Sequence, residues 1–222
     1  MAKLRLAVLL SGNGSNLQAI IDRCTANQAK AEVIDAEVVV VISDQPGAYG
    51  LQRAAAASIP HETLDRRSFT SRESFDQALK QCIDPYAVDL VVLAGFMRIL
   101  SPAFVQHYAG RIVNIHPSLL PKYPGLHTHR RALQAGDKVH GASVHFVTPE
   151  LDGGPVILQA HVPVLADDDE HTLAARVLEK EHLIYPTVIQ WMATHRLSLD
   201  AQSRIVLDGK VLQQPALLSE PT

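Results

Sequence analysis

Cysteine is nearly missing from this chain. Among 222 residues there are two, Cys24 and Cys82, far apart and each in a stretch with helical spacing. That excludes a disulfide framework or a cysteine metal cluster and fits a reduced compartment. Long basic runs are missing too, and the net charge is −3, so nucleic acid is not expected as a main partner. No apolar run reaches the roughly 18 residues of a membrane span, and Met1–Leu4 leads straight into a strand pattern without a signal region. A soluble, cytoplasmic protein is therefore expected, with no membrane partner. Internal repeats, low-complexity segments and flexible linkers are also missing. One domain over 1–222 is expected, with a core at 4–195 and a tail at 196–222.

What is present is a hydrophobic content of 47%, ample for a sizeable core. Apolar runs at Leu4–Leu10, Glu37–Ile42 and Val88–Ala94 alternate with helical patterns at 17–21, 48–57 and 68–82, the last with Ser68 as its expected cap. Ile59–Thr63 reads as a short strand. The pattern predicts an α/β fold with a Rossmann-like, mostly parallel sheet covered by helices on both faces. His140–Val147 and Val156–Val164 are expected to pair as an antiparallel hairpin at its edge. Asp167–Glu170 and Thr172 cap a long helix running from His171 to about His195.

Three stretches carry chemistry. Ser11-Gly12-Asn13-Gly14-Ser15-Asn16 follows the first strand and opens a helix, which Ser15 or Asn16 either caps or precedes with a side chain that touches an anion. Strand, glycine turn, helix is an order that presents backbone N–H groups to a phosphate. The loop has neither the Lys-Ser/Thr of a nucleotide-triphosphate loop nor the third glycine of a dinucleotide loop, so a mononucleotide or sugar phosphate is expected. A tight turn with no ligand fits the same letters.

The second stretch is Val113-Asn114-Ile115-His116-Pro117-Ser118-Leu119-Leu120-Pro121. Asn114 and His116 are two apart, so a strand points both to one side, and Pro117 ends that strand. An amide donor beside an imidazole suits acyl-group chemistry: the amide holds an oxyanion and the imidazole moves a proton. Taken alone, the stretch fits a buried strand-end histidine equally well. The residues from Pro117 to Arg131, stiffened by prolines, read as a shaped loop over the cleft. His127-Thr128-His129 lacks a supporting carboxylate or cysteine cluster, so no metal is expected.

The third stretch, Leu151-Asp152-Gly153-Gly154-Pro155, is a turn in which Asp152 either forms the bend or orients His116. Gly95-Phe96-Met97-Arg98-Ile99-Leu100, leaving the strand at 88–94, reads as ordinary core with Arg98 reaching outward, or as the wall of a flat apolar pocket.

Together these motifs resemble the folate-dependent formyltransferases, over roughly Leu4 to Trp191. The Ser11–Asn16 loop points within them to the branch that formylates glycinamide ribonucleotide in purine synthesis. The resemblance implies 10-formyltetrahydrofolate as co-substrate, no metal, and small-molecule partners only, with the protein a monomer or weak homodimer. It implies that Gly14, Ser15 and Asn16 hold the substrate phosphate and that Glu181 contacts the glycinamide end. Met97, Arg98, Ile99 and Leu100 line the folate pocket, with Arg72 on its acidic tail. Asn114, His116 and Asp152 form the catalytic trio. A 10-formyltetrahydrofolate hydrolase is the alternative; such members usually carry an extra N-terminal domain, and here the first strand starts at Leu4. A tRNA-directed formyltransferase needs an RNA-binding domain, for which Arg196–Thr222 is short and not basic. A pure binding module has no need of the trio.

Overall fold

The computed structural model describes residues 2–25 and 33–218. Its chain forms two compact units, Met1–Asn114 and Ile115–Thr222.

The first unit alternates strand and helix: β1 (Leu4–Leu10), α1 (Ser15–Cys24), β2 (Ala36–Ser43), α2 (Tyr49–Ala56), β3 (His61–Thr63), α3 (Arg72–Ile83), β4 (Leu90–Leu93), α4 (Pro102–His107) and β5 (Ile112–His116). The last two residues of β5 fall in the second unit. The strands lie in the order β3-β2-β1-β4-β5 and every pair is parallel. This is the 3-2-1-4-5 order of a Rossmann-like sheet, whose ligands bind at the carboxyl ends of the strands. The continuous apolar runs are explained by burial: Leu6–Leu10 and Leu90–Val92 have no exposed surface.

α3 and α4 start where a side chain satisfies one of the first N–H groups, whereas α1 and α2 have no side-chain cap bond. Ser101 accepts from Phe104 N ahead of α4, with Pro102 in the first turn. For α3 the cap is Ser71, in a reciprocal pair with Ser74, and not Ser68, which closes a short 3-10 turn at Arg66–Ser68. Nor do Ser15 and Asn16 cap α1; they are its first helical residues, and the cap position is Gly14 in a left-handed conformation. The cysteines are free, on α1 and α3, and burial pushes the Cys24 thiol up to about 12.

The second unit holds α5 (Thr128–Gln134), β6 (Val139–Phe146), β7 (Val156–Pro163), α6 (Glu170–Ala193), β8 (Leu197–Leu199), β9 (Ile205–Leu207), β10 (Lys210–Val211) and β11 (Ala216–Leu217). β6 and β7 form the expected antiparallel pair, with a register shift between Val144 and His145. They are not an edge hairpin, because β11 adds in parallel to β7. The tail also builds a small antiparallel sheet in the order β10-β9-β8. α6 packs on β6 and β7 and starts at an Asp169–Thr172 capping box. Among the described residues no helix is long and apolar enough to cross a membrane.

Candidate active site

In the first unit, Ser11–Asn16 with Ala94, Gly95 and Met97 line a cavity of about 240 Å³. That is smaller than a pocket for a drug-sized ligand and suits a compact group such as a phosphate. Its wall is knitted by Ser11 N donating to Gly95 O at 3.0 Å and Met97 N donating to Ser11 Oγ at 2.8 Å. Gly14, at φ 74°, hands the chain into α1, where Gln18 N donates to Gly14 O at 3.0 Å. A side chain at Gly14 has no room: its Cβ would stand 2.6 Å from Gly50 Cα. The first turn of α1 carries no acidic side chain, so nothing opposes an anion at the positive end of the helix.

The expected folate segment divides. Met97 and Ile99 are largely exposed, at 65% and 53%, whereas Phe96 and Leu100 are buried. Arg98 folds its guanidinium 4.2 Å above the Phe75 ring, so it stacks on the core instead of reaching freely outward. Arg72 opens α3, partly exposed and 3.7 Å from Glu73. Asn114 is half-buried and pairs in register with Leu93 of β4.

In the second unit, His116 and Asp152 meet although 36 positions separate them. His116 Nδ1 stands 3.5 Å from Asp152 Oδ2, with side-chain exposures of only 7% and 10%. The other ring nitrogen, Nε2, donates to the Tyr123 carbonyl at 2.9 Å. Both nitrogens therefore face acceptor oxygens, an arrangement that a ring bearing two N–H groups satisfies. Asp152 Oδ2 also accepts from Gly125 N at 2.8 Å. The pair thus grips the loop that follows β5 at Tyr123 and Gly125. Asp152 lies in the left-handed region at φ 49°, which an aspartate tolerates better than most residues. Gly154 keeps its turn tight against β6: a Cβ there would meet the Phe146 carbonyl oxygen at 1.8 Å.

The base of the same loop is anchored by buried polar groups. Ser143 Oγ donates to Ser118 O at 2.6 Å and accepts from Leu120 N at 3.0 Å. Gln159 Nε2 donates to Leu120 O at 2.9 Å. The proline-rich segment is thus a shaped loop and not a linker.

Three further histidines lie in the same unit, of which only His129 belongs to a stretch weighed in the sequence. His145 Nε2 stands 3.8 Å from Asp152 Oδ1, and its Nδ1 donates to Phe146 O at 2.8 Å. Burial holds its imidazole below the ordinary value. His129 Nδ1 and His140 Nε2 are 3.2 Å apart. Burial lowers both, and His140 falls to about 4 with the His129 ring adding to the effect. The signal in the sequence was His140, Ser143 and His145 set among the apolar and small residues of β6. His127 holds the cap position of α5, and among the described residues no group of three or more His, Cys, Asp or Glu side chains could hold a metal ion. Glu181 is buried on α6.

Comparison with known proteins follows the same lines. The formyl transferase family model matches residues 4–189. Phosphoribosylglycinamide formyltransferase of Escherichia coli is 59% identical over 209 residues, covering 94% of this chain and 96% of that one. The Haemophilus influenzae protein of the same name is 47% identical, covering 97% and 99%. The solved structure of phosphoribosylglycinamide formyltransferase from Coxiella burnetii superposes with a TM-score of 0.90 at 48% identity, covering 98% of this chain and all of that one.

Proposed function

We infer the reaction from the premise that this chain belongs to the formyl transferase family. It transfers the formyl group of 10-formyltetrahydrofolate to the primary amine of N1-(5-phospho-D-ribosyl)glycinamide, in de novo purine biosynthesis. The products are the N-formyl glycinamide ribonucleotide and tetrahydrofolate. The observation that carries this reading is 59% identity across nearly the full length of a phosphoribosylglycinamide formyltransferase.

In this reading the amine nitrogen attacks the formyl carbon and a tetrahedral intermediate forms, with negative charge on the former carbonyl oxygen. Asn114 donates to that oxygen, and His116 does so with the Nε2 proton that rests on the Tyr123 carbonyl before substrate binds. Asp152 orients the imidazole and lies against its positive charge, a role supported by the 3.5 Å approach. The attacking nitrogen loses a proton, N10 of the folate gains one, and the C–N10 bond breaks. Amine attack on an activated formyl group needs no covalent enzyme intermediate and no metal.

The Gly14–Asn16 backbone takes the substrate phosphate, supported by the small cavity at the start of α1. Glu181 contacts the glycinamide end. Met97 and Ile99 offer apolar surface to the folate, with Arg98 and Leu100 fixing the wall from behind and Arg72 meeting the acidic tail. The protein works in the cytoplasm as a monomer or weak homodimer, with small molecules as its partners.

The test is a formyl-transfer assay following tetrahydrofolate release, with and without glycinamide ribonucleotide. Turnover should depend on the ribonucleotide and yield the N-formyl product. Folate turnover at the same rate in water alone would replace this reading with a hydrolase.

A further inference from the structure

We propose that Gly50 and Arg53, on α2, are positioning residues that set the phosphate-binding shape of the Gly12–Asn16 loop. This rests on the reading of that loop as the ribonucleotide phosphate site. Neither residue lines the cavity itself.

The contacts form a brace along one side of the loop. Gly50 N donates to Gly12 O at 3.1 Å. Arg53 Nε donates to the next carbonyl, Asn13 O, at 2.9 Å. Its two terminal nitrogens reach Asn13 Oδ1 at 3.0 Å and Gln18 Oε1 on α1 at 3.2 Å. The Tyr49 ring supports the guanidinium, 4.8 Å below it.

A trans peptide is planar, so the carbonyl of one residue and the N–H of the next point in opposite directions. Drawing the Gly12 carbonyl toward Gly50 therefore turns the Asn13 N–H away from α2. Drawing the Asn13 carbonyl toward Arg53 does the same to the Gly14 N–H. Two successive N–H groups turned to one side ahead of a helix N-terminus make an anion-binding concavity.

The approach is as close as backbone allows. A Cβ on Gly14 would meet Gly50 Cα at 2.6 Å, and a Cβ on Gly50 would meet Leu10 Cδ2 at 2.4 Å. The two glycines are a matched pair. An arginine is needed because its planar fork spans a carbonyl, a side-chain amide and a second helix at once.

Arg53→Met, Arg53→Lys and Gln18→Leu test this in the full-length enzyme, with Gly14→Ala as the control on the phosphate site itself. The readouts are kcat, KM for each substrate, and the inhibition constant of inorganic phosphate against the ribonucleotide. Arg53→Met should raise the ribonucleotide KM and the phosphate constant about tenfold, the scale of one or two lost charge-assisted hydrogen bonds. The folate KM and kcat at saturation should stay within about twofold. Gln18→Leu, which removes one contact of three, should move the same constants less and serves if Arg53→Met does not fold. Arg53→Lys should lie between Met and the parent. If it equals the parent, only the charge matters and the brace is overturned. Equal changes in both KM values, or none, overturn it as well. If Gly14→Ala spares ribonucleotide binding, the phosphate reading fails first. If Gly14→Ala impairs that binding and Arg53→Met does not, only the brace fails.

Discussion

Gly14→Ala is the smallest perturbation of the phosphate loop, and its size follows from two features. The added methyl would stand 2.6 Å from Gly50 Cα, whereas carbon atoms rest at about 3.5–4.0 Å, so the two backbones must part by about 1 Å. Alanine at φ 74° also costs about 1–2 kcal/mol in the left-handed region, paid by the protein with or without ligand. Moving the loop by about 1 Å takes an N–H···O contact from about 2.9 to 3.9 Å, beyond hydrogen-bond range. Each bond to a charged group contributes about 1.5–3 kcal/mol, so losing two weakens ribonucleotide binding by about 3–6 kcal/mol, a factor of at least a hundred. Folate affinity should change little. Calorimetric titration of each ligand separately, beside a thermal melt, decides the matter. A folded variant that binds the ribonucleotide within about threefold of the parent would refute the argument, and an equal loss for both ligands would mark a general folding defect.

Asp152→Asn retains an acceptor for Gly125 N but removes the charge 3.5 Å from His116, so kcat should fall about 100-fold or more while both ligands still bind. Combined with His116→Ala it should be little worse than His116→Ala alone, because the two act as one unit; additive losses in steady-state rates would separate them. Ile99→Trp, on an exposed part of the proposed folate wall, should raise the folate KM with a smaller effect on the ribonucleotide; an unchanged folate KM would remove Ile99 from that wall. His140 titrates at about 4 in the fold against an ordinary 6.5, so the unfolded chain binds its proton more tightly. Its contribution to stability is complete above about pH 6.5, is lost as pH falls through the window to about 4, and is on the order of 3 kcal/mol. Urea unfolding of the parent and His140→Gln across that window should show a shallower pH dependence in the variant, and parallel curves would remove His140 from the account.

Much of the frame was legible. The run Leu4–Leu10 is apolar because both faces of β1 are buried, and that signal is local. Asp169, followed by Thr172, marked the start of α6 because the capping box lies within four residues. The failures arose where distant contacts decide. Ser68, Ser71 and Ser74 all suit a helix start, and only the reciprocal bonds between the last two select Ser71. β11 has two residues, too few for any periodicity, and exists because β7 offers it an open edge. At the site, the Ser11–Asn16 loop and the Asn114–His116 spacing were visible as letters. The approach of Asp152 to His116 was not derivable, since it depends on a left-handed backbone at 152 and on Gly154 pressed against β6. Arg53 escaped notice because its partners, Asn13 and Gln18, lie 40 and 35 positions away.

The position of β1 between β2 and β4 also has a consequence during synthesis. Leu6 pairs with Val38 on one side and Leu90 on the other. The β2 edge can close early, but β4 ends about 50 residues after β2 does. At roughly 5–20 residues per second, the ribosome leaves the far edge of β1 unpaired for about 2.5–10 s after β2 has emerged. That edge belongs to Leu6-Ala7-Val8-Leu9, an apolar, uncharged strand of the kind that other chains can add to. The residue order that centres β1 in the sheet thus makes the nascent chain most vulnerable to aggregation before Leu90 appears, and slower translation through 44–89 should lower the soluble yield.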